Sequence, residues 1–280
     1  DTVAPTPHIV NSTTLSNMEG FNFSVLFDEP VSGFGREDLF VAGSPGSISS
    51  VGQSIDGKSF DFHFTPMKGI QSSSASIYVA GGGYRDVAGN FGWDSQASVF
   101  SIDAVSPTAV ITLSDNTLTS GDSLEVIVHF NEPVNGFDTS DVDIGGFPGT
   151  LGNLSQTASG DYLITFTPNA NVTVANAVIT INGSYTDIAG NPGINQISGN
   201  LTIDTKAPSV EIGLSDTYLT RGESEILTFT FTEVVSGFSA NDVQLDGVAV
   251  NLTNFQEIDP GKKFTAIYIP PNAVSYTHLT

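Results

Sequence analysis

The chain contains no cysteine and very few basic residues. Without cysteine it has no disulfides, no thiolate catalysis and no cysteine-based zinc site, although this leaves its compartment open. Only 8 lysines and arginines stand against 30 acidic residues, so the formal net charge is −22. Nucleic acids and anionic membrane surfaces are bound through basic patches, so this balance argues against both as partners. A soluble protein in salty or calcium-containing surroundings fits the charge.

Long apolar runs are missing as well. No stretch approaches the roughly 18 apolar residues that span a bilayer. The opening DTVAPTP has neither the basic nor the apolar region of a signal peptide. We therefore expect no membrane insertion in this segment, and either a cytoplasmic protein or an internal piece of a longer chain. Hydrophobic residues make up 39% of the sequence, which is enough to form cores.

One sequence unit recurs three times along the chain. The segments DEPVSGF, NEPVNGF and TEVVSGF place Glu29, Glu132 and Glu233 at intervals of 103 and 101 residues. The motifs FTP, Y-x-D-x-AGN and I-D-x-x-x-P recur at nearly the same spacing. A period of this size is that of a domain rather than of a solenoid repeat. We predict repeat 1 at residues 1–103, repeat 2 at 104–204 and repeat 3 at 205–280.

The two ends of the chain carry their own expectations. The opening DTVAP matches a repeat junction, so Asp1 is expected to be the tail of an upstream unit. Repeat 3 is expected to be truncated, because its D-x-AGN loop would fall 101 residues after Asp187, near residue 288. The closing VSYTHLT, residues 274–280, matches nothing in the other repeats and resembles translated adapter read-through. We expect no functional role for it.

Apolar and polar residues alternate with the period of a β-strand. FNFSVLF places Phe21, Phe23, Val25 and Phe27 on one face, and SLEVIVHF and LTFTFT follow the same pattern in the next two repeats. Turn residues recur roughly every 8–12 positions, and no stretch keeps helical spacing. About seven short strands in about 100 residues predict an all-β chain of tandem immunoglobulin-like β-sandwiches.

Taken together, the motifs resemble a known family. DTxAP, F-x-EPV-x-GF, FTP and Y-x-D-x-AGN, closing on ID, are similar to the bacterial Ig-like repeats of large biofilm-associated surface proteins and adhesins. The resemblance covers repeats 1 and 2 fully and most of repeat 3. It implies tandem stalk domains at the cell surface, often secreted and often calcium-dependent, and it implies no catalytic residues.

The strand order of such a sandwich brings acidic residues from three segments to one end. The EPV segment follows the second strand, the D-x-AGN loop lies in the last hairpin, and the aspartate of the preceding linker arrives there too. Like charges without a counter-ion repel one another, so we predict a cation at each junction. Ca²⁺ is favoured over Mg²⁺, which demands a stricter octahedron, and over Zn²⁺, because the sets hold no His or Cys. The predicted ligands are Asp1, Glu29, Asp86 and Asn90 for repeat 1, Asp103, Glu132, Asp187 and Asn191 for repeat 2, and Asp204 and Glu233 for repeat 3.

Simpler interpretations exist for the loop and for other recurring residues. In the loop, Asp and Asn are typical turn caps, and Gly adopts positive φ easily. Trp93 occurs in one repeat only; sugar binding is an alternative, and packing is favoured. Three recurring sets are interpreted as turn-bonding aspartates (Asp38, Asp141, Asp242, with a role at the metal as the alternative), core phenylalanines (Phe34, Phe137, Phe238) and corner tyrosines (Tyr84, Tyr185).

The functional prediction is a structural stalk segment of an extracellular bacterial adhesin or biofilm-matrix protein. No enzyme is predicted, because motifs such as G-x-S-x-G and H-E-x-x-H are absent and carboxylates repeated in every unit suit a joint better than a glycosidase. The expected partners are neighbouring repeats, and surface or matrix glycans or proteins bound through other domains. Calcium removal is expected to leave each sandwich folded and let the units swing. The alternative is a non-catalytic polysaccharide-binding module, which would show a repeated strip of exposed aromatics.

Overall fold

The alternating segments form β-strands, as the period of the sequence predicts. The structure, a computed structural model, describes residues 2–11, 13–216, 218–219, 222–270 and 277–278. The chain divides into a first unit, Asp1–Asp204, and a second unit, Thr205–Thr280. The first unit holds repeats 1 and 2, and the second holds repeat 3. The helical elements of the described residues are single 3₁₀ turns at Arg36–Asp38, Thr139–Asp141 and Ala240–Asp242.

The described residues of repeat 1 form ten strands. They are β1 (Pro7–Val10), β2 (Leu15–Ser16), β3 (Phe21–Phe27), β4 (Val31–Ser32), β5 (Leu39–Ala42), β6 (Gly46–Gln53), β7 (Ser59–Pro66), β8 (Gln71–Val79), β9 (Arg85–Asp86) and β10 (Ser98–Asp103). One sheet has the order β1-β3-β7-β6, the other β2-β10-β8-β5, and a ribbon pairs β4 with β9. Strands β2 and β10 run parallel. With β1 and β2 counted as one split strand, this is the seven-stranded order of an immunoglobulin sandwich.

Repeat 2 follows the same plan with more interruptions. Its strands are β11 (Ala109–Leu113), β12 (Thr117–Leu118), β13 (Leu124–Phe130), β14 (Val134–Asn135), β15 (Val142–Asp143), β16 (Gly149–Leu151), β17 (Ser155–Gln156), β18 (Tyr162–Pro168), β19 (Thr173–Ala177), β20 (Thr180–Ile181), β21 (Thr186–Asp187), β22 (Gln196–Ile197) and β23 (Leu201–Asp204). One sheet has the order β11-β13-β18-β16, with β17 also on β18. The opposite layer consists of β12-β23-β19 and β15-β20-β22, and the ribbon pairs β14 with β21.

Repeat 3 shows one complete sheet in its described residues. Its strands are β24 (Val210–Leu214), β25 (Tyr218–Leu219), β26 (Glu225–Phe231), β27 (Gln244–Leu245), β28 (Val248–Ala249), β29 (Leu252–Asp259), β30 (Lys263–Tyr268) and β31 (Thr277–His278). The sheet has the order β24-β26-β30-β29, and short pairs join β25 to β31 and β27 to β28. Of the closing segment 274–280, residues 274–276 and 279–280 lie outside the described residues.

Each sandwich encloses a core rich in phenylalanine. The inward face of β3 is buried along its length, and Leu124, Val126 and Val128 of β13 are fully buried. Phe34 packs edge-to-face on Phe27 and Phe60 at centroid distances of 4.9 Å. The recurring phenylalanines of the GF turn therefore pack into the cores as predicted, since Phe137 and Phe238 make equivalent ring contacts.

The linker between repeats 1 and 2 is anchored on both sides. Ala104 is 1% exposed and belongs to the core of repeat 1. Its N–H donates to the Ile70 carbonyl at 2.9 Å, and its carbonyl accepts from the Gly69 N–H at 2.7 Å. On the other side, the Thr108 N–H donates to Asn131 Oδ1 at 2.7 Å. Only residues 105–107 separate the two anchors, so the connection is short.

Candidate metal centre

The D-x-AGN loop of repeat 2 is a tight turn held closed by its own backbone. The Asp187 N–H donates to the Asn191 carbonyl at 3.1 Å, and the Gly190 N–H donates to the Asp187 carbonyl at 3.3 Å. Gly190 has a φ of 90°, a conformation that costs glycine little. The simpler interpretation of this motif as a turn is therefore correct for its backbone.

A buried tyrosine supports this loop from inside the sandwich in both repeat 1 and repeat 2. The Tyr185 hydroxyl donates to the Ile194 carbonyl at 3.2 Å, and the Tyr84 hydroxyl donates to the Trp93 carbonyl at 2.5 Å. A Cβ placed on Gly193 would lie 2.3 Å from the Tyr185 ring, so the second glycine of the motif makes room for that ring. The predicted corner role of both tyrosines is confirmed.

A short two-stranded ribbon brings the EPV segment of repeat 2 next to the D-x-AGN loop. Val134 of β14 lies opposite Asp187 of β21, and Glu132 comes two residues before Val134. Asp103 ends β10 and reaches the same place from repeat 1. One carboxylate oxygen from each of Asp103, Glu132 and Asp187 lies within 4.8 Å of the others. Within the described residues, this acidic cluster is the one group of three such side chains that could hold an ion.

The acidic cluster is electrostatically strained. Asp187 is buried, and the other two carboxylates are half-buried. Burial raises the pKa of Glu132, and the charges of Asp103 and Asp187 raise it further. No Lys, Arg or His of the described residues forms an ion pair with any of the three. The negative charges therefore face one another without a protein counter-charge.

Neutral donors hold the carboxylates in place. Gln71 Nε2 and the Val105 N–H donate to Asp103 Oδ1 at 3.1 and 3.3 Å. Asn131 Nδ2 donates to Glu132 Oε1 at 3.4 Å. These contacts fix one oxygen of each half-buried carboxylate without neutralising its charge.

Asn191 was predicted as an amide ligand, and the structure gives its side chain other partners. Its Nδ2 donates to Asp187 Oδ2 at 2.6 Å and to the Asp103 carbonyl at 2.7 Å. Its Oδ1, the atom a cation would need, accepts from the Met18 N–H at 2.7 Å. In this arrangement Asn191 holds the Asp187 carboxylate and the Asp103 carbonyl in place, and its role as a calcium ligand stays a prediction. The sequence analysis missed Met18, because its contribution is a backbone group that no residue pattern marks.

The corresponding residues of repeat 1 are arranged by the same ribbon. Val31 of β4, two residues after Glu29, lies opposite Asp86 of β9. Asn90 Nδ2 donates to Asp86 Oδ2 at 2.6 Å and to the Val3 carbonyl at 3.1 Å. Asp1, the remaining predicted ligand of this set, lies outside the described residues.

The third predicted set is divided between the two units. Asp204 ends β23 in the first unit, where its Oδ1 accepts from the Thr173 hydroxyl at 3.1 Å. Glu233 follows β26 in the second unit. Each is described within its own unit, and the joint prediction for Asp204 and Glu233 stays a prediction.

The recurring aspartates after the GF turn bond to that turn. Asp38 Oδ2 accepts from the Gly35 N–H at 2.9 Å, Asp141 Oδ2 from the Asp138 N–H at 2.8 Å, and Asp242 Oδ2 from the Ser239 N–H at 2.8 Å. Each closes a single 3₁₀ turn. Their turn-bonding interpretation is confirmed.

The exposed aromatic side chains of the D-x-AGN loop in repeat 1 do not recur in repeat 2. Trp93 is 65% exposed, so the expectation that it packs is wrong. Its backbone is held by the N–H, which donates to the Pro5 carbonyl at 3.2 Å, and by the carbonyl, which accepts from the Tyr84 hydroxyl. Phe91 is also exposed and is covered on one face by the Arg85 guanidinium, 3.8 Å from the ring centroid. Repeat 2 has proline and isoleucine at the matching positions 192 and 194. The described residues thus lack the repeated aromatic strip that a polysaccharide-binding module would show.

Comparisons with known proteins bear on the whole chain. The profile of the bacterial Ig-like domain family matches three consecutive stretches, residues 1–102, 103–203 and 204–280. No curated protein matches the chain.

The solved structures of similar fold include the I9–I11 tandem of titin (9% identity, 98% of this chain and 94% of that chain, TM-score 0.31). They also include the Ig1–Ig3 ectodomain of mouse nectin-like molecule 4 (9%, 95% and 91%, 0.30) and the D1–D4 fragment of ICAM-5 (15%, 98% and 67%, 0.30). At these TM-scores they support no functional argument. Among the described residues, none forms a helix long and apolar enough to cross a membrane.

Proposed function

Because the chain belongs to the bacterial Ig-like domain family, whose profile matches it in three tandem copies, we propose that it is a stalk segment of a bacterial adhesin or biofilm-matrix protein and that Ca²⁺ stiffens its junctions. Ig-like domains of this kind are common in surface and extracellular proteins, and the fold is generally non-catalytic. Recognition of glycans or proteins on cells or in the matrix falls to other domains, and these repeats hold those domains away from the surface.

The acidic cluster at the seam between repeats 1 and 2 is the observation that carries the calcium part. Oxygens bound to one Ca²⁺ lie 2.3–2.6 Å from the ion, so two of them are at most about 5 Å apart. The 4.8 Å spread of the three carboxylate oxygens fits within that limit. Carboxylates are the ligands Ca²⁺ prefers, and waters or loop carbonyls complete its six to eight positions.

A cation at this place would connect two repeats directly. Asp103 belongs to the last strand of repeat 1, whereas Glu132 and Asp187 belong to repeat 2. An ion shared by the three would remove their repulsion and add bonds across the seam. Repeat 1 would then resist being pulled or bent away from repeat 2, as a stalk under tension requires.

Thermal unfolding of the 280-residue chain in Ca²⁺ and in chelator tests this proposal. A ligand at 100 times its Kd stabilises by about 2.7 kcal/mol, which corresponds to about 5–10 °C for a unit of this size. We expect the first unit to melt at a higher temperature in Ca²⁺ than in chelator, and Mg²⁺ to raise the melting temperature much less.

Two variants make the test specific. Asp103→Asn removes a ligand and should abolish the calcium response, whereas Glu125→Gln changes an exposed acidic residue of β13 and should retain it. An unchanged melting temperature in wild type, or an equal shift in Asp103→Asn, would contradict the calcium site.

A further inference from the structure

The most completely enclosed polar side chain at the seam is that of Asn191. It is 0% exposed, and it joins three separate elements. Its Nδ2 bonds the linker at the Asp103 carbonyl and the loop at Asp187, while its Oδ1 takes the Met18 N–H of repeat 1. Its backbone N–H donates to Asp187 Oδ1 at 2.8 Å. All of its side-chain hydrogen-bonding groups are therefore used without any ion.

Met18 belongs to the turn between β2 and β3 of repeat 1. That turn is closed by the Gly20 N–H, which donates to the Asn17 carbonyl at 3.1 Å. The neighbouring Asn17 side chain also approaches repeat 2, since a Cβ on Gly190 would lie 3.4 Å from its Nδ2. The turn of repeat 1 thus sits directly on the D-x-AGN loop of repeat 2, and Asn191 lies beneath it.

Asn90 shows which of these bonds belong to the loop itself. Its N–H donates to Asp86 Oδ1 at 2.8 Å and its Nδ2 to Asp86 Oδ2 at 2.6 Å, the same lengths as in repeat 2. Asn90 is nevertheless only half-buried. The loop therefore forms in either setting, and the full burial of Asn191 comes from the contact with repeat 1.

We propose that Asn191 is a metal-independent latch that fixes repeat 1 on repeat 2, so that this seam stays closed when calcium is removed. A buried amide that loses contact with Met18 and the Asp103 carbonyl leaves polar groups unsatisfied, which disfavours an open seam. The short anchored linker leaves few residues able to absorb a change of angle. The latch needs no bound ion, because every one of its partners is a protein atom, although one of them, Asp187, also belongs to the acidic cluster.

Hydrogen exchange at the Met18 amide reports on the latch directly. In the wild-type chain in chelator, we expect this amide to stay protected at the level of the surrounding first unit. Rapid exchange at Met18 in chelator, with calcium restoring protection, would overturn the metal-independent latch while supporting the calcium site.

Asn191→Ala and Asn90→Ala form a matched pair, because both remove the same bonds to the loop aspartate. In chelator, Asn191→Ala should speed exchange at Met18 by about tenfold or more, since an unsatisfied buried group costs stability, and should leave the Phe23 and Val126 amides in the two cores protected. Asn90→Ala should leave Met18 unchanged. Asn191→Asp keeps an acceptor for the Met18 N–H and should lose less protection than Asn191→Ala. Equal effects of Asn191→Ala and Asn90→Ala, or protected Met18 in Asn191→Ala, would refute the proposal.

Discussion

Replacing Glu132 by glutamine should have opposite effects with and without calcium. Glu132 is the member of the acidic cluster whose pKa is raised, first by burial and then by Asp103 and Asp187. Glutamine keeps the length of the side chain and an oxygen that can accept from Asn131, but it removes the charge. In chelator the variant should be more stable than wild type, because two repulsive pairs disappear.

The size of the effect follows from the spacing. The three carboxylate oxygens lie within 4.8 Å of one another, and two unit charges at about 5 Å repel by about 3 kcal/mol at an effective dielectric constant near 20 and by about 0.9 kcal/mol in water. Glu132 and Asp103 are half-exposed, so the lower value is the better guide. Two pairs then contribute about 2 kcal/mol, which raises the melting temperature of a unit of this size by about 4–8 °C.

Calcium should reverse the order, because the variant lacks one of three carboxylate ligands. Scanning calorimetry of both proteins, each with chelator and with Ca²⁺, measures the crossing. Glu125→Gln is the control for a change of net charge. In chelator and in Ca²⁺ alike, it should change the free energy of unfolding by no more than about 0.5 kcal/mol, the usual range for surface substitutions. A Glu132→Gln protein that melts earlier than wild type in chelator would refute the repulsion on which the calcium site is argued.

Two further predictions concern the titration of the cluster and the support of the loop. The pKa of Glu132 is raised above its ordinary value of 4.5, so ionisation of this carboxyl destabilises the folded state. The protonated carboxyl carries no such cost below that value, and the cost appears as pH rises through the raised pKa. In chelator, the advantage of Glu132→Gln over wild type should therefore shrink as pH falls from neutral toward about 4.5; a constant difference in melting temperature would contradict this. Gly193→Ala places a Cβ 2.3 Å from the Tyr185 ring, whereas Gly199→Ala meets nothing within 4 Å. The first should destabilise by about 1–3 kcal/mol and the second little, as urea unfolding would show; equal midpoints would argue against the close fit.

The fold and much of the cluster follow from local sequence rules. Alternation in FNFSVLF sets which side chains of β3 face the core, and the turn residues set where each strand ends. The meeting of Glu132 with Asp187 also follows, because an EPV segment after the second strand and a loop before the last strand must lie at the same end of a sandwich. Asp103 then arrives by chain connectivity.

The contacts across the seam do not follow from such rules. The partner of Asn191 Oδ1 is a backbone N–H 173 residues earlier in the chain, and every residue except proline carries that group. Nothing in the sequence distinguishes Asn191 from Asn90, although one is enclosed and the other is half-exposed. The exposure of Trp93 could not be predicted from sequence either. Its hydrophobicity favours packing, and the position of its ring depends on the geometry of the loop.

The latch changes what calcium is expected to do at this seam. Calcium removal was expected from sequence to let the units swing, on the assumption that the ion alone closes the joint. Asp187 is shared by both devices: Asn191 donates to each of its oxygens, and the acidic cluster draws on the same carboxylate. Donors behind a ligating carboxylate orient it for the ion. The latch would therefore set the angle between repeats 1 and 2, and calcium would relieve the repulsion that works against it. On this view, the ion changes how much force the seam withstands more than it changes the direction in which the stalk points.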